Sequence, residues 1–353
     1  MRKQKISNIP ENTADISDQA YLSNCSFTKL ILMLFVVLCH SVAFFGGDWF
    51  TVYKPSGVIP FMKKLADWTG AFHVYGFTIV SGYLFCYLKN TLGKYTDYKA
   101  FILNKTKRLI VPYVFVSAVW VAPISAYYFK YNAKDILVNY ILGCNPAQLW
   151  FLLVLFWAFV IGWILTKHLA SDAKCVVMSL VLYIIGYVGR SFLPDLFSLF
   201  RGLQFVIFFV TGYIIKKHDA QYSKHQVVSI CVILHILLWN LIPYLHDMNI
   251  VFKAGYDLVF HLVSAIGAFE LLQYLGTKVK WQNDRAVQKW IKLTMPIYLF
   301  HQQIIYMVIS ILNNKTSPAI IMIMSFLVSI VGSATIGFFL IMNKRTRFLI
   351  GEK

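Results

Sequence analysis

Ten times between residues 27 and 342 the chain enters an apolar run long enough to matter in a bilayer: near 27–47, 71–88, 109–129, 148–166, 175–189, 200–215, 226–244, 256–275, 293–312 and 318–342. A helix needs about 20 mostly apolar residues to cross the hydrocarbon layer. With no water there to satisfy backbone N–H and C=O groups, only helices and closed barrels can span it. Most of these runs are too long and too uniformly apolar to be barrel strands, which alternate over about ten residues. The pattern therefore predicts an all-α integral membrane protein, a bundle of about ten transmembrane helices. The fifth and sixth runs are the short ones, and they read as partly re-entrant. Composition agrees: 58% of the 353 residues are hydrophobic and 14% charged, whereas a soluble domain carries about a quarter charged residues.

Lys and Arg outnumber Asp and Glu by 33 to 15. In a soluble chain that excess would suggest nucleic acid. Here the basic residues fall between apolar runs, so no nucleic-acid partner is expected. If the N-terminus is inside and ten spans alternate, 24 of the 33 basic residues lie inside, and the positive-inside rule then puts both termini in the cytoplasm. Three segments are expected: a polar cytoplasmic stretch over 1–25, a transmembrane domain over 26–343, and a basic cytoplasmic tail over 344–353. The first 25 residues lack an apolar core, so no cleaved signal is expected. Residues 57–70, GVIPFMKKLADWTG, mix apolar and charged positions at helical spacing and read as an interfacial helix on the outer face. The six cysteines form no CxxC pair and several lie in apolar runs, so they read as buried thiols, and no metal is expected.

An ionisable residue inside a span is costly and is a functional candidate by default. His40 lies well inside the first span, in LFVVLCHSVAFFG, with Lys29 eleven positions earlier. On a helix the two fall nearly on one face, roughly 16 Å apart. A neutral imidazole there can serve as a general base, or simply bond a neighbouring helix. His73 is near the outer end of the second span, where Ser81 and Gly82 allow close helix contact; alone it reads as structural. Lys105, Lys107 and Arg108 open the third span just before Pro112. Such a cluster can hold phosphates or serve only topology. Gln148 and Trp150 stand at the outer start of the fourth span and Arg201 at the outer end of the sixth. Glu270, in the eighth, needs a partner or water, and His301 lies mid-span in the ninth, followed by Gln302 and Gln303. His235 and His261 also lie within spans, with nothing adjacent that points to a role.

Together these segments resemble the acyltransferase-3 family of membrane acyltransferases, from about residue 22 to about 342. Four patterns carry the resemblance. The first is a basic residue, ten residues and then His, Lys29 to His40. The second is the block Phe72, His73, Ser81, Gly82, Tyr83, Leu84. The third is the basic pair Lys105 and Arg108 before Pro112-Tyr113. The fourth is the closing block from Tyr298 to Gln302. The LWFL segment agrees as well. The chain departs from the family in having Lys29 and Lys105 in place of Arg, Gln148 where His is frequent before LWFL, and Tyr75 in place of a proline. Lys keeps the charge but loses the bidentate fork.

The resemblance implies an enzyme that moves an acyl group, commonly acetyl, from cytoplasmic acyl-CoA to a hydroxyl of an envelope glycan, free or lipid-linked, across a bacterial-type inner membrane. It implies that His40 acts on the acceptor hydroxyl or carries the acyl group. Lys29, Lys105 and Arg108 would hold the phosphorylated donor, and His73, Gln148, Trp150 and Arg201 would lie on the acceptor side. Two other classes stay open on the residues alone: a transporter or polysaccharide exporter, and a membrane scaffold. The absence of an internal repeat leans against the transporter, and the costly intramembrane polar residues lean against the scaffold.

Overall fold

The structure is a computed structural model. It describes residues 11–352 apart from 48, 56, 170, 246, 247 and 280–283. Arg2, Lys3, Lys5, Lys280 and Lys353, all part of the inside charge count, lie outside the described residues.

Eleven helices organise the chain: α1 (Glu11–Ala43), α2 (Pro60–Gly70), α3 (His73–Cys86), α4 (Tyr98–Phe129), α5 (Trp150–His168), α6 (Asp172–Phe192), α7 (Leu199–Lys217), α8 (Lys224–Leu241), α9 (Ile250–Val279), α10 (Arg285–Leu312) and α11 (Pro318–Met342). Ten helical segments among the described residues are long and apolar enough to span a bilayer, α2 and α3 counting as one. The chain is a multi-pass membrane protein. The fifth and sixth spans are not re-entrant: α6 runs 21 residues and α7 runs 19. Their apolar runs look short because Asp172 and Arg190 flank one, and Arg201 and Lys216 interrupt the ends of the other. Helical hydrogen bonding continues through charges that can reach the interface, so charge spacing understates helix length.

Two helices organise the packing. One is α1, which touches α2, α3, α9, α10 and α11; the other is α7, packed against α3, α5 and α6. α3 lies between these groups, and α8 is peripheral, leaning on α9. The α3–α7 crossing is tight because glycine removes the Cβ from both sides. A Cβ on Gly82 would run into the backbone carbonyl of Phe209, and one on Gly212 into that of Ile79. Small residues at such crossings let dispersion contacts replace a hydrophobic driving force that lipid does not supply. The expected helix within 57–70 forms as α2. Pro60 stands in its first turn, Met62 and Thr69 turn inward and Phe61 turns outward. It lies along α1, where the Cys39 thiol donates to the Ala66 carbonyl at 3.5 Å.

Alternation of the spans gives two ends. One carries the connections 92–97, 169–171, 218–223 and 343–352; the other carries 44–59, 130–146, 193–198, 242–249 and 313–317. We call the first the lysine-rich end. α1 runs unbroken across residue 25, so helix begins well before the apolar run does. The C-terminal tail folds back on the bundle: Ile350 is fully buried, and Gly351, at φ +80°, abuts the Arg108 carbonyl and Pro112 of α4. All six cysteines are free thiols, four of them buried.

Replacing Gly82 or Gly212 by alanine should cost about 1–3 kcal/mol through forced separation of the α3–α7 backbones. Gly255→Ala, where no atom lies within 4 Å of the added carbon, should be neutral or slightly stabilising because alanine is the better helix former. Thermal midpoints of the purified variants in detergent check the contrast.

Candidate active site

His40 is on the last turn of α1, and His301 lies in the middle of α10, 261 residues away. The fold brings His40 Nδ1 within 2.9 Å of His301 Nε2. The backbone fixes the tautomers. His301 Nδ1 faces the carbonyls of Ile297 at 3.0 Å and Tyr298 at 2.8 Å. Those oxygens can only accept, so Nδ1 carries the proton and Nε2 of the neutral ring is left to accept. His40 Nδ1 therefore donates to it, and His40 Nε2 keeps its lone pair. No described residue hydrogen-bonds that nitrogen. Both carbonyls lie one turn back on α10, at i−4 and i−3 from His301, where a side-chain N–H reaches them without any break in the helix. The segment after α1 turns back and stacks Trp49 on the His40 ring, with centroids 5.5 Å apart at 23°.

His73 opens α3 with Nδ1 donating to the Thr69 carbonyl at 2.6 Å, which also leaves Nε2 unprotonated. It lies within electrostatic reach of His40 on one side and His261 on the other. His261, with nothing adjacent in the chain that points to a role, donates from Nδ1 to the Ala71 carbonyl at 2.9 Å and stacks on Tyr75 at 4.1 Å. Four imidazoles from α1, α3, α9 and α10 thus form a chain through the bundle. The signal for His261 was present: it is an ionisable residue in an apolar run, as costly there as His40.

Gln148 is tied into the scaffold. Its amide donates to the Leu299 carbonyl at 2.9 Å and to Gln303 Oε1 at 2.6 Å, and Gln303 returns a bond to Gln148 Oε1 at 3.1 Å. The Tyr298 hydroxyl donates to the Gln148 carbonyl. These bonds clamp α10 beside His301. Trp150 lies under the Arg201 guanidinium at 5.2 Å, and Arg201 Nε is 3.5 Å from Asp195. That pair stands at the end opposite the lysine-rich one, with Arg201 within electrostatic reach of Tyr75. Glu270 is not at the histidine site either. It accepts from the Tyr222 hydroxyl at 2.7 Å and lies 3.9 Å from Lys224, within a polar cluster at the lysine-rich end.

Lys29, Lys105 and Arg108 are gathered at that same end, within electrostatic reach of one another. Lys105 is 7% exposed, its ammonium 3.5 Å from the centroid of Phe159 and 5.1 Å from that of Tyr95. None of the three makes an ion pair with a carboxylate among the described residues. A π-helical turn, Thr106–Ile110, follows Lys105 and offsets Arg108 from regular α-helical placement. The Glu352 carboxyl lies within electrostatic reach of Arg108. Burial raises it above the usual carboxylate range, while Arg108 and Lys292 pull it down.

The family model described as an acyltransferase domain matches residues 26–342, nearly the whole chain. The chain belongs to the acyltransferase-3 family. No curated protein and no solved structure matches it. Family membership makes this bundle a membrane acyltransferase and sets aside the transporter and scaffold readings. In this acyltransferase-3 chain the lysines at 29 and 105 still meet Arg108 at one place.

Gln303→Leu should lower stability by about 1–3 kcal/mol, because it leaves the buried Gln148 amide short of a partner. The double variant Gln148→Leu, Gln303→Leu should recover part of that loss. A double-mutant cycle on thermal midpoints reads the coupling.

Proposed function

We propose that this acyltransferase takes an acyl group, acetyl in the simplest case, from acyl-CoA at the lysine-rich end. It delivers that group to a hydroxyl of an envelope glycan that enters from the opposite end. The lysine-rich end then faces the cytoplasm of a bacterial-type inner membrane, with both termini on that side. The observation that carries the reading is the His40 Nε2 lone pair, fixed by a proton that His301 cannot give up to its backbone carbonyls.

The donor end fits a phosphorylated carrier. A buried ammonium without a carboxylate partner is expensive, and the aromatic faces around Lys105 offset only part of that. Phosphate oxygens would satisfy Lys105, Lys29 and Arg108 together. Along the unbroken α1 the eleven residues from Lys29 to His40 span roughly 16 Å. A slender pantetheine arm can bridge that distance while the nucleotide stays at the mouth.

At the far end of the arm His40 Nε2 takes the proton of the acceptor hydroxyl as its oxygen attacks the thioester carbon. Nδ1 stays bonded to His301, which positions the ring and spreads the charge of the imidazolium. When the carbon–sulfur bond breaks, the same proton returns from Nε2 to the leaving sulfur. The base is thus regenerated and protons balance. Trp49 covers the ring and limits access of water to the thioester.

His40→Ala should reduce glycan acylation by at least about 10²–10⁴, the usual contribution of a general base, while the protein stays folded and inserted. His301→Ala, which frees His40 to adopt either tautomer, should lower kcat and leave the KM for acyl-CoA unchanged. Ester content of surface glycan and turnover of purified protein measure both. Full activity in His40→Ala overturns the assignment. Acetyl-CoA at saturating concentration should raise the thermal midpoint of the wild-type chain, as any ligand selective for the folded state does. The double variant Lys105→Ala, Arg108→Ala should lose that shift, and an unchanged shift would mean that these charges serve topology alone.

A further inference from the structure

A second polar feature lies away from both the cation cluster and the His40–His301 pair. Between α3, α6, α7 and α9 is a partly enclosed cavity of about 100 Å³, bounded by Tyr75, Tyr187, Arg190, Gln204, Asp257 and His261. It shares Tyr187 and Asp257 with a wider, open depression of about 420 Å³ near residues 242–253. The two form a funnel that opens at the end opposite the lysine-rich one and narrows towards His261.

We propose that this funnel is the acceptor subsite, taking one sugar unit of the glycan by its hydroxyls and its apolar face. The inference rests on the acyl-transfer reading above and adds to it where the acceptor binds.

Three observations converge. The walls are aromatic: Tyr75 is held between His261 at 4.1 Å and Phe205 at 4.9 Å, which uses both its faces, and Tyr183 and Tyr187 line the same cavity. Aromatic faces of this kind pack against the C–H side of a pyranose ring when they are open to it. The rim carries a guanidinium, an amide and a carboxylate, each with part of its hydrogen-bonding capacity used. Arg190 donates to Gln204 Oε1 at 3.2 Å, and Tyr187 bonds to Asp257. A carboxylate has about four acceptor sites and a guanidinium five donors, so both keep capacity for vicinal hydroxyls. The inner cavity has one cation and one anion on its wall, unlike the three cations at the donor end, which have no carboxylate ion pair among the described residues. That balance suits a neutral polyol, whereas the phosphates of the donor would meet Asp257.

Placement is the third. His261, on the wall, is within electrostatic reach of His73, which is within reach of His40. The cavity wall thus carries the imidazole that neighbours His73. Tyr75, which stands where the family pattern has a proline, is one of the residues lining this cavity.

The test uses the full-length purified chain, [14C]acetyl-CoA, and as acceptor the alkali-deacylated envelope polysaccharide of cells lacking the chain. Asp257→Asn and Arg190→Gln should each raise the acceptor KM about tenfold or more, the loss expected for one hydrogen bond to a charged group. The KM for acetyl-CoA and the thermal shift it produces should stay at wild-type values, which also certifies folding. Arg190 is exposed, so its variant carries the test if Asp257→Asn does not fold. An acceptor KM unchanged in a folded variant overturns the funnel as acceptor site. A wild-type chain that is stabilised by acetyl-CoA yet esterifies no polysaccharide overturns the acyl-transfer reading itself, a result the variants cannot mimic.

Discussion

A polar side chain carried into the interior of a bilayer must find its partner inside the protein, because the lipid offers none. In this chain that constraint falls on α1, α9 and α10, several of whose interior polar groups are answered across helices. Asn24 on α1 donates to Gln273 on α9 at 2.7 Å, and Gln273 donates in turn to Thr28 at 3.1 Å. Gln148 and Gln303 exchange bonds, and His40 meets His301. These links set which helices are neighbours and in what rotation, since an apolar seam alone would tolerate sliding. Where close approach rather than a polar pair is needed, as between α3 and α7, glycine supplies it.

The same constraint builds the site. Tautomers in solution interconvert freely, but His301 is pinned by two carbonyls, and it passes that choice to His40. In the proposed reaction the lone pair would therefore be present at Nε2 before any substrate arrives, with no reorganisation to oppose the step. The Gln148–Gln303 clamp and Tyr298 hold the α10 turn that carries His301. Gln148 is thus tied into the scaffold beside the site. A family preference for an imidazole at that position is compatible with the same use, since an imidazole can also bridge to α10.

Charge is divided by task. Most basic residues need only the positive-inside rule. The three gathered from α1 and α4 at the lysine-rich end differ in that Lys105 is enclosed by aromatic rings and has no carboxylate partner among the described residues. The docked C-terminal segment brings Glu352 within electrostatic reach of Arg108, next to Gly351, which abuts the Arg108 carbonyl.

The number of spans, their helical nature, the residues that are costly in lipid, and the motif order that resembles the family were all legible in the sequence, because each depends on local periodicity and composition. Even there, charges at the ends of α6 and α7 made two full helices look short. Pairings were not legible. Nothing in the run around His301 says that its Nε2 faces residue 40, and nothing around Gln148 says that its amide is spent on Gln303. Those contacts join residues 261 and 155 positions apart, set by the rotation of one helix against another. His261 was visible as a polar residue in an apolar run, but its place beside His73 and Tyr75 belongs to the packing of α9 on α3. The sequence thus determined which side chains the membrane would force to seek partners, since transfer cost is a property of the residue. Only the tertiary structure decided which partners they found, since that is a property of how the helices cross.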